Sequence, residues 1–576
     1  MLLVLFGIIR KEFKLTTVYS RLSEERKKLQ AEGLAPEFWS TASYQLFKEK
    51  YQYQAANPRE QYERIARTLA VHTPDPQKWF GKFFDLMWKG WLSPSTPVLA
   101  NTGTSRGLPV SCSGQYIPDA IDGIYKSKHE TAMLTKYGFG TAGYLGDIRP
   151  RGSKISVGGK SLGVVPVIQG VQHDMEYVAQ GSARRGSWAG YLPVDHGDFD
   201  EVCTYLEQHP DGNNIGWVWK DSDTEKMKAG DAEAIRRFQK MLRTKMITGK
   251  GYFSFQDKQN RARPQWYVDK GLDIKAPQLC NEVVLHSSED YTYTCVLSSM
   301  NLIFWDDWKD TEAVFEATVF LDCVAQEFIE RAKNISGLEK AVAFTKKSRA
   351  LGLGAAGLHS LYISKGLPFG SLEAYMLNAE IFRTIREKAE EATKWISEQY
   401  GEPEWCKGYG RANTHVLAIA PTKSSSLLIG GVSEGINPDT AMVFTQRSAG
   451  GEIDRINPYL LNLMKERGVY NKTTVERIRM AMGSVQKEDW LTSDEKEVFK
   501  TAFEINQMDI LNQAVDRGVY LDQWQSLNLF FSSEEDESKI AEVHQRAIED
   551  EGILGLYYIY SQAGVQASNG ECLACQ

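Results

Sequence analysis

The pattern that most limits the fold of this 576-residue chain is the alternation of short apolar runs with long helical segments. Residues 416–430 contain one such unit, in which an apolar run is followed by a turn led by Pro421 and by three serines. Residues 349–359, rich in glycine and alanine, are typical of a tightly packed strand-to-helix junction. Residues 311–332 and 371–399 have the periodicity of long helices. This alternation predicts an α/β core covered by helices.

The two ends of the chain differ from that core. In residues 1–90, charged amphipathic segments at 21–29 and 60–69 predict a mainly helical N-terminal region. Residues 91–560 contain no internal repeat or low-complexity linker, which favours one large domain. Residues 561–576, rich in glycine, serine and glutamine, are typical of a flexible tail. We therefore predict three parts.

Composition and charge exclude several classes of protein. An apolar fraction of 42% and a charged fraction of 24% are ordinary for a globular protein, and a net charge of -7 gives no electrostatic footprint for nucleic acid. The apolar residues 1–9 precede the first positive charges, which is the wrong order for a signal peptide, and they are too few to span a bilayer. We predict a cytoplasmic protein that binds neither nucleic acid nor membrane.

The cysteines point to redox chemistry more than to structural disulfides, because no secretion signal is recognised. The eight cysteines are Cys112, Cys203, Cys280, Cys295, Cys323, Cys406, Cys572 and Cys575. Only Cys572 and Cys575 form a C-x-x-C pair, so a structural metal site is not predicted. Since this pair lies at the end of the predicted tail, it resembles a mobile dithiol shuttle.

The stretch around Cys280 has the residue types of a reaction centre. If the segment is extended, Gln278, Cys280 and Glu282 point to one face, with Leu279 on the other. A thiol between an amide and a carboxylate can act in nucleophilic or acid–base chemistry. The same residues also fit a buried structural cysteine beside a surface glutamate. Residues alone leave both interpretations open.

Two other regions could bind anions. The glycine-dense residues 137–190 fit neither a Rossmann nor a Walker spacing, but they carry Arg149, Arg184 and Arg185, whose guanidinium groups could approach phosphates. The serines at 424–426 would form an anion site if a helix starts there. Solvated turns and an ordinary serine N-cap explain the same features without a ligand.

Taken together, these motifs resemble the large, catalytic (α) subunit of a class I ribonucleotide reductase over roughly residues 90–576. The matching motifs, in order, are Ser95-Thr-Pro-Val-Leu-Ala (similar to a phosphate-side strand), Ser111-Cys112, Gln278-Leu-Cys280-Asn-Glu282, Thr294-Cys295-Val-Leu-Ser-Ser-Met-Asn, Pro421-Thr-Lys-Ser-Ser-Ser, Asp522-Gln-Trp-Gln-Ser-Leu-Asn and Tyr557-Tyr558 with the Cys572/Cys575 tail. The fold implied by this resemblance is a ten-stranded α/β barrel with a finger loop, which carries Cys280, threaded through its centre.

The resemblance also implies roles in the chemistry. Cys280 would become a thiyl radical that removes the 3′-hydrogen of the ribose. Glu282 would be the general base on the 3′-hydroxyl, and Gln278 would orient it, although the family usually has asparagine at this position. Cys112 and Cys295 would supply two electrons and end as a disulfide.

Partners follow from the same resemblance. Tyr557 and Tyr558 would carry the radical from a separate metal-containing, ferritin-like small (β) subunit, so no cofactor or metal would bind in this chain. Cys572 and Cys575 would re-reduce the active-site pair and be reset by a thioredoxin- or glutaredoxin-like protein. A homodimer is implied as well.

The nucleotide sites are also implied by resemblance. The substrate phosphates would contact Thr96, Ser111, Ser424, Ser425 and Ser426. A deoxynucleoside triphosphate effector would bind near Asp119, Arg149, Arg184 and Arg185. Residues 1–90 contain no counterpart of the family's ATP-cone, so no overall on/off switch by ATP and dATP is expected. The compact length is typical of viral members, for which the compartment would be the host cytoplasm.

Two alternatives remain. Arg184-Arg185-Gly186 and Leu192-Pro-Val-Asp-His resemble the class II enzymes, which use adenosylcobalamin. A non-enzymatic thiol-redox or metal-binding scaffold would use only the Cys572/Cys575 pair, and it leaves the other motifs unexplained.

Overall fold

The structure is a computed structural model that describes residues 19–178, 186–212, 214–448 and 451–562. The helices in these ranges are α1 (19–31), α2 (Thr41–Leu46), α3 (Pro58–Ala70), α4 (Pro76–Trp88), α5 (Thr96–Asn101), α6 (Ile121–Lys136), α7 (Val165–Tyr177), α8 (Phe199–Gln208), α9 (Asp221–Lys228), α10 (Ala232–Thr248), α11 (Gln256–Ala262), α12 (Gln265–Asp269), α13 (Trp305–Trp308), α14 (Ala313–Ala332), α15 (Glu339–Ser348), α16 (Leu358–Ser364), α17 (Leu372–Tyr400), α18 (Lys423–Leu428), α19 (Pro458–Glu466), α20 (Lys472–Met480), α21 (Ser493–Val498), α22 (Gln507–Gly518) and α23 (Glu537–Glu549). A π-helix, Phe47–Tyr51, continues α2, and short 3₁₀ turns span Leu302–Phe304 and Glu404–Cys406.

The strands alternate with these helices along the chain. They are β1 (Leu92–Pro94), β2 (Cys112–Tyr116), β3 (Gly140–Tyr144), β4 (Trp188–Pro193), β5 (Asn214–Trp219), β6 (Tyr252–Phe255), β7 (Tyr293–Asn301), β8 (Leu351–Ala356), β9 (Val443–Ser448), β10 (Gly451–Ile456), β11 (Leu529–Phe531), β12 (Gly555–Leu556) and β13 (Ile559–Ser561). Strands β2 to β6 pair in sequence order and all in parallel, so helices must connect them, as the predicted alternation requires.

A second set of five extended segments runs opposite to the first. Strand β7 is antiparallel to β2 and parallel to β8. The set continues through single parallel bridges, from Leu353 to Leu417 and from Ile419 to Gln525. The amide of Tyr557 then donates to the carbonyl of Leu527, and β12 pairs antiparallel with β6. Ten segments therefore close into a ring, and the predicted ten-stranded α/β barrel is confirmed.

The N-terminal helices pack directly against this barrel. Helix α3 lies against α4, which contacts α14 on the outside of the sheet. At the other end of the helical region the Ser43 hydroxyl donates to the carbonyl of Leu427 in α18, at 2.9 Å. Helices therefore lie in residues 19–90, where the amphipathic pattern predicts them.

One local prediction is wrong. Residues 95–100, expected to be a strand, form most of helix α5, and only β1 before them is extended. Pro97 lies in the first turn of this helix, where proline is tolerated because its missing N–H would have no partner within the helix. In the described ranges, no helix is long and apolar enough to cross a membrane.

Candidate active site

The finger loop, residues 277–284, lies inside the ring and contacts both sets of strands. The Tyr191 hydroxyl on β4 donates to the carbonyl of Gln278 at 2.8 Å. The side-chain amide of Asn281 donates to the carbonyl of Phe253 on β6 at 3.1 Å. From the opposite set, the Tyr293 hydroxyl donates at 3.2 Å to the carbonyl of Ala276, the residue directly before the loop. The loop is thus fixed from several sides, and its predicted central position is confirmed.

The loop is a tight turn. The prediction that Gln278, Cys280 and Glu282 lie along one face of an extended segment is therefore wrong. The backbone N–H of Gln278 donates to the carbonyl of Val283 at 2.9 Å, and the backbone N–H of Asn281 donates to the carbonyl of Gln278 at 3.1 Å. Asn281 has φ +72°, a left-handed conformation that asparagine tolerates better than most residues. The turn brings Gln278, Cys280 and Glu282 together by curvature instead of by strand alternation.

Cys280 and Glu282 share one anchor, Ser526. The Ser526 Oγ atom lies 2.7 Å from the carbonyl oxygen of Cys280 and 2.9 Å from Oε2 of Glu282. The amide of Trp524 donates to the carbonyl of Glu282 at 2.9 Å. Glu282 is only 1% exposed, so the interpretation of a surface glutamate is wrong. A carboxylate held beside a thiol in a buried site can accept a proton from a bound substrate.

Gln278 holds the turn and keeps part of its amide available. Its Oε1 atom accepts a hydrogen bond from the amide of Cys280. Its Nε2 atom is buried and has no hydrogen-bond partner among the described residues. A buried amide N–H without a partner costs free energy, so a ligand oxygen at this point would be favourable.

Cys112 and Cys295 face each other across two antiparallel strands. They are direct register partners of β2 and β7, so their Cα atoms are about 5 Å apart, within the range for a disulfide. Both cysteines are buried. Burial raises the pKa of the Cys295 thiol far above its ordinary value; the bond from Gln523 lowers it, and the Glu282 carboxylate raises it further.

Tyr557 and Tyr558 belong to an aromatic cluster that includes Cys280. Their ring centroids are 4.3 Å apart. Tyr252 packs against both, at 4.7 and 5.1 Å. The amide of Asn214 donates to the Tyr558 hydroxyl at 3.3 Å. Three phenol rings in mutual contact, in the same hydrophobic cluster as Cys280, have an arrangement that suits stepwise radical transfer.

The two loops predicted to bind phosphate are joined by the N-terminal π-helix. The Tyr51 hydroxyl lies 3.2 Å from Oγ1 of Thr96, and Lys50 Nζ donates to Oγ of Ser424 at 2.9 Å. In α18, Ser425 and Ser426 bond to Thr422, whose φ of +56° opens the helix. The structure therefore brings Thr96 and Ser424–Ser426 to one place.

The remaining predicted residues are spread more widely. Ser111 lies next to Cys112, with Oγ 3.7 Å from the Cys112 sulfur. Asp119 and Arg149 form an ion pair at 2.6 Å near the start of α6, both partly exposed. Arg184, Arg185, Cys572 and Cys575 lie outside the described residues.

Comparison with known proteins decides the family. The model of the ribonucleotide reductase barrel domain matches residues 110–216, 218–405 and 403–559, and the model of the ribonucleotide reductase all-alpha domain matches residues 37–107. The chain belongs to the ribonucleotide reductases.

Relatives of this reductase come from viruses, eukaryotes and bacteria. A Frog virus 3 protein, assigned as a ribonucleoside-diphosphate reductase large subunit, is 34% identical over 86% of this chain and 92% of its own length. A large subunit from Invertebrate iridescent virus 3 is 31% identical over 88% of this chain and 91% of its own. The class Id α subunit of Actinobacillus ureae superposes with a TM-score of 0.84 at 36% identity, covering 93% of this chain and 99% of that one.

These relatives remove both alternatives. The reductase is a class I large subunit, so the adenosylcobalamin-dependent alternative is wrong. The non-enzymatic scaffold is wrong for the same reason. As a class I α subunit, the reductase acts with a small β subunit that supplies the radical.

Several residues at the site were not assigned a role from the sequence. Gln523 and Ser526 lie in a motif that the sequence identifies, but only the fold brings them to Cys295 and Cys280. Tyr252 gave no signal beyond an aromatic residue in a strand. Lys50 gave none, because its partner Ser424 is 374 positions away and only tertiary packing joins them.

Proposed function

We propose that this reductase converts ribonucleoside diphosphates to 2′-deoxyribonucleotides through a thiyl radical on Cys280. The observation that carries the proposal is the direct opposition of Cys112 and Cys295 in the sheet that surrounds the Cys280 loop. Two thiols aligned by strand register can supply two electrons. A third thiol, which shares a hydrophobic cluster with two tyrosines, can take part in one-electron chemistry.

The chemistry balances with these groups. The Cys280 thiyl radical takes the hydrogen atom from C3′, and Glu282 accepts the proton of the 3′-hydroxyl while Gln278 orients it. The 2′-hydroxyl takes a proton from the Cys112–Cys295 pair and leaves as water. The pair supplies two electrons and a second hydrogen to C2′ and becomes a disulfide. The proton held by Glu282 returns to the 3′-oxygen, and Cys280 returns its hydrogen atom to C3′ and is again a thiyl radical.

The radical reaches Cys280 through Tyr558 and Tyr557 from a metal-containing, ferritin-like small subunit. Support comes from the ring separation of 4.3 Å and from the cluster that joins both rings to Cys280. In this direction of transfer, Tyr558 receives the radical at the interface with the small subunit and passes it to Tyr557.

The phosphates bind between Thr96, Ser111 and the serines of α18, with Lys50 as the cation. Support comes from the contacts of the π-helix with both loops. An ammonium group held at a hydroxyl-lined site suits a terminal phosphate. A deoxynucleoside triphosphate effector would bind near Asp119 and Arg149, together with Arg184 and Arg185, and two copies of the chain would form a homodimer.

The test is reduction of cytidine diphosphate with dithiothreitol. The protein is assayed alone, with adenosylcobalamin, and with the small subunit from the same source. Activity is expected only with the small subunit, and it should disappear in Cys280→Ser. Cys406→Ser, which removes another buried thiol, is the matched control and should stay active. Equal activity in Cys280→Ser would overturn the proposal.

The tail pair, Cys572 and Cys575, is proposed to pass electrons from a thioredoxin- or glutaredoxin-like protein to the active-site disulfide. Deleting residues 570–576 should leave one turnover intact and abolish repeated turnover with a protein reductant. Repeated turnover at the full rate in the truncated protein would remove the shuttle role.

A further inference from the structure

Gln523 contacts the sulfur of Cys295, and its backbone is fixed on both sides. Before it, the Asp522 carboxylate accepts from the amides of Val416 and Leu417, each at 2.9 Å. After it, Trp524 donates to the finger loop. The Gln523 Nε2 atom lies 3.6 Å from Cys295 Sγ and also donates to the carbonyl of Leu351 at 2.8 Å. The hydrogen bond to Leu351 therefore holds the Gln523 Nε2 atom in place beside the sulfur of Cys295.

The two sulfurs of the pair have different surroundings. Cys295 has no exposed surface, and its sulfur occupies space left by Gly352, where a Cβ would lie 3.1 Å from it. Cys112 keeps 6% of its surface exposed, and its neighbour is the Ser111 hydroxyl. One sulfur is enclosed and has an amide donor; the other is the more accessible.

This asymmetry bears on how the disulfide is reduced. In thiol–disulfide exchange an incoming thiolate bonds to one sulfur, and the other leaves as a thiolate. Attack follows access, and departure is faster when the leaving thiolate is stabilised. A hydrogen bond to a charged acceptor is worth about twice a neutral one, so the Gln523 donor offsets part of the burial that raises the pKa of the Cys295 thiol, and its removal would make Cys295 a poorer leaving group.

We infer that Gln523 makes Cys295 the leaving sulfur, so that a dithiol reductant attacks Cys112. A mixed disulfide forms between the reductant and Cys112 while the Cys112–Cys295 bond breaks, and Cys295 departs as a thiolate that takes a proton. The second thiol of the reductant then releases Cys112 and closes the reductant's own disulfide. This inference rests on the pairing in the proposed function and adds the direction of its reduction.

The direct test maps the mixed disulfide in the full chain carrying Cys572→Ser and Cys575→Ser, which removes the tail thiols. Diamide oxidises the protein, and mass spectrometry checks for the Cys112–Cys295 bond. Brief treatment with 2-mercaptoethanol, an acid quench and peptide mapping then locate the adduct. We expect it on Cys112, and an adduct on Cys295 would overturn the inference.

A second measurement tests Gln523 itself. Gln523→Met removes the donor at similar volume, and we expect dithiothreitol to reduce the disulfide about tenfold more slowly. Gln513→Met is the matched control, because Gln513 is also buried and donates to a backbone carbonyl, that of Phe369. A purely structural role would leave both rates alike, and that result would overturn the role of Gln523.

The outcomes separate this inference from the proposed function. If diamide forms no Cys112–Cys295 bond, the pairing fails and the inference fails with it. If the bond forms but the adduct lies on Cys295, only the inference fails. Because adduct mapping uses a protein with intact Gln523, it decides the attacked sulfur even if Gln523→Met does not fold.

Discussion

The Cys112–Cys295 pair and the Cys280 loop lie in one barrel but are held by different kinds of structure. The pair is aligned by the backbone register of two strands, so neighbouring main-chain bonds fix the two thiols. Cys280 lies on a turn whose position depends on side chains, chiefly Ser526, Asn281 and Tyr191. A single substitution changes few of the main-chain bonds that fix strand register. It can remove one of the few side-chain bonds that hold the turn.

This difference matches the role proposed for each site. Two thiols that close into a disulfide need a constant separation. The hydrogen-bonded pair of strands β2 and β7, called the ladder below, provides it. A thiol that exchanges a hydrogen atom with a substrate and a radical with tyrosines needs contacts on several sides, which a loop inside a barrel provides. We therefore expect changes at the loop to affect turnover, and changes at the ladder to affect stability and pairing.

The largest effect is expected from removing the Tyr557 hydroxyl. Tyr557→Phe keeps the ring packed at 4.3 Å from Tyr558 but cannot form a tyrosyl radical, so turnover with the small subunit should fall to background. Diamide oxidation of the Cys112–Cys295 pair should be unchanged. Tyr252→Phe, in the same cluster, is the control and should keep most activity. Comparable loss in both variants would indicate a packing role.

The turn at Asn281 should be the next most sensitive point. Asn281→Ala loses the bond to Phe253 and places alanine at φ +72°, at a combined cost of about 2 kcal/mol, so we expect turnover to fall about 30-fold. Asn281→Gly restores the conformational freedom but not the bond, and should recover part of the loss. Both should oxidise the cysteine pair normally; impaired pairing would contradict the independence of loop and ladder.

On the ladder side, Gly352→Ala should lower stability. The added Cβ would lie 2.3 Å from Leu297 Cδ2 and 3.1 Å from Cys295 Sγ, and such overpacking costs about 1–3 kcal/mol. Urea unfolding measures this loss. Gly81→Ala, in α4 with no atom within 4 Å of its new Cβ, is the control and should be neutral or stabilising. Equal stability in both variants would show that the sulfur is not tightly enclosed.

Sequence patterns predicted the parts of the fold that repeat. The alternation of strands and helices follows from local periodicity, so α14 and α17 appear where it predicts them. The barrel itself came only from the family resemblance, because closure depends on pairings such as Ile419 with Gln525 that no local pattern contains. Strand alternation fails at the Cys280 turn for the same reason, because bonds from Ser526 and Tyr191, both distant in sequence, hold the turn in place.

The sequence predicts those site residues that lie close together in one motif. Gln278, Cys280 and Glu282 lie within five residues, so their proximity follows from the chain. Lys50 has no such neighbour in sequence, and the sequence predicts the N-terminal helices as a region separate from the catalytic domain. The packing of α2 on α18 brings this region to the proposed phosphate site.

The smallest effect is expected at that distant contact. Lys50→Met removes the ammonium group held at Ser424, and loss of one charge-assisted bond to a phosphate should raise the KM for cytidine diphosphate about tenfold with kcat little changed. Lys48→Met, on the same π-helix but paired with Glu25, is the matched control and should change neither constant. Because Lys50 lies on the N-terminal π-helix and is part of neither the loop nor the β2–β7 strand pair, an effect on kcat would mean that phosphate binding also positions the ribose over Cys280. An unchanged KM would limit Lys50 to docking the N-terminal helices on α18.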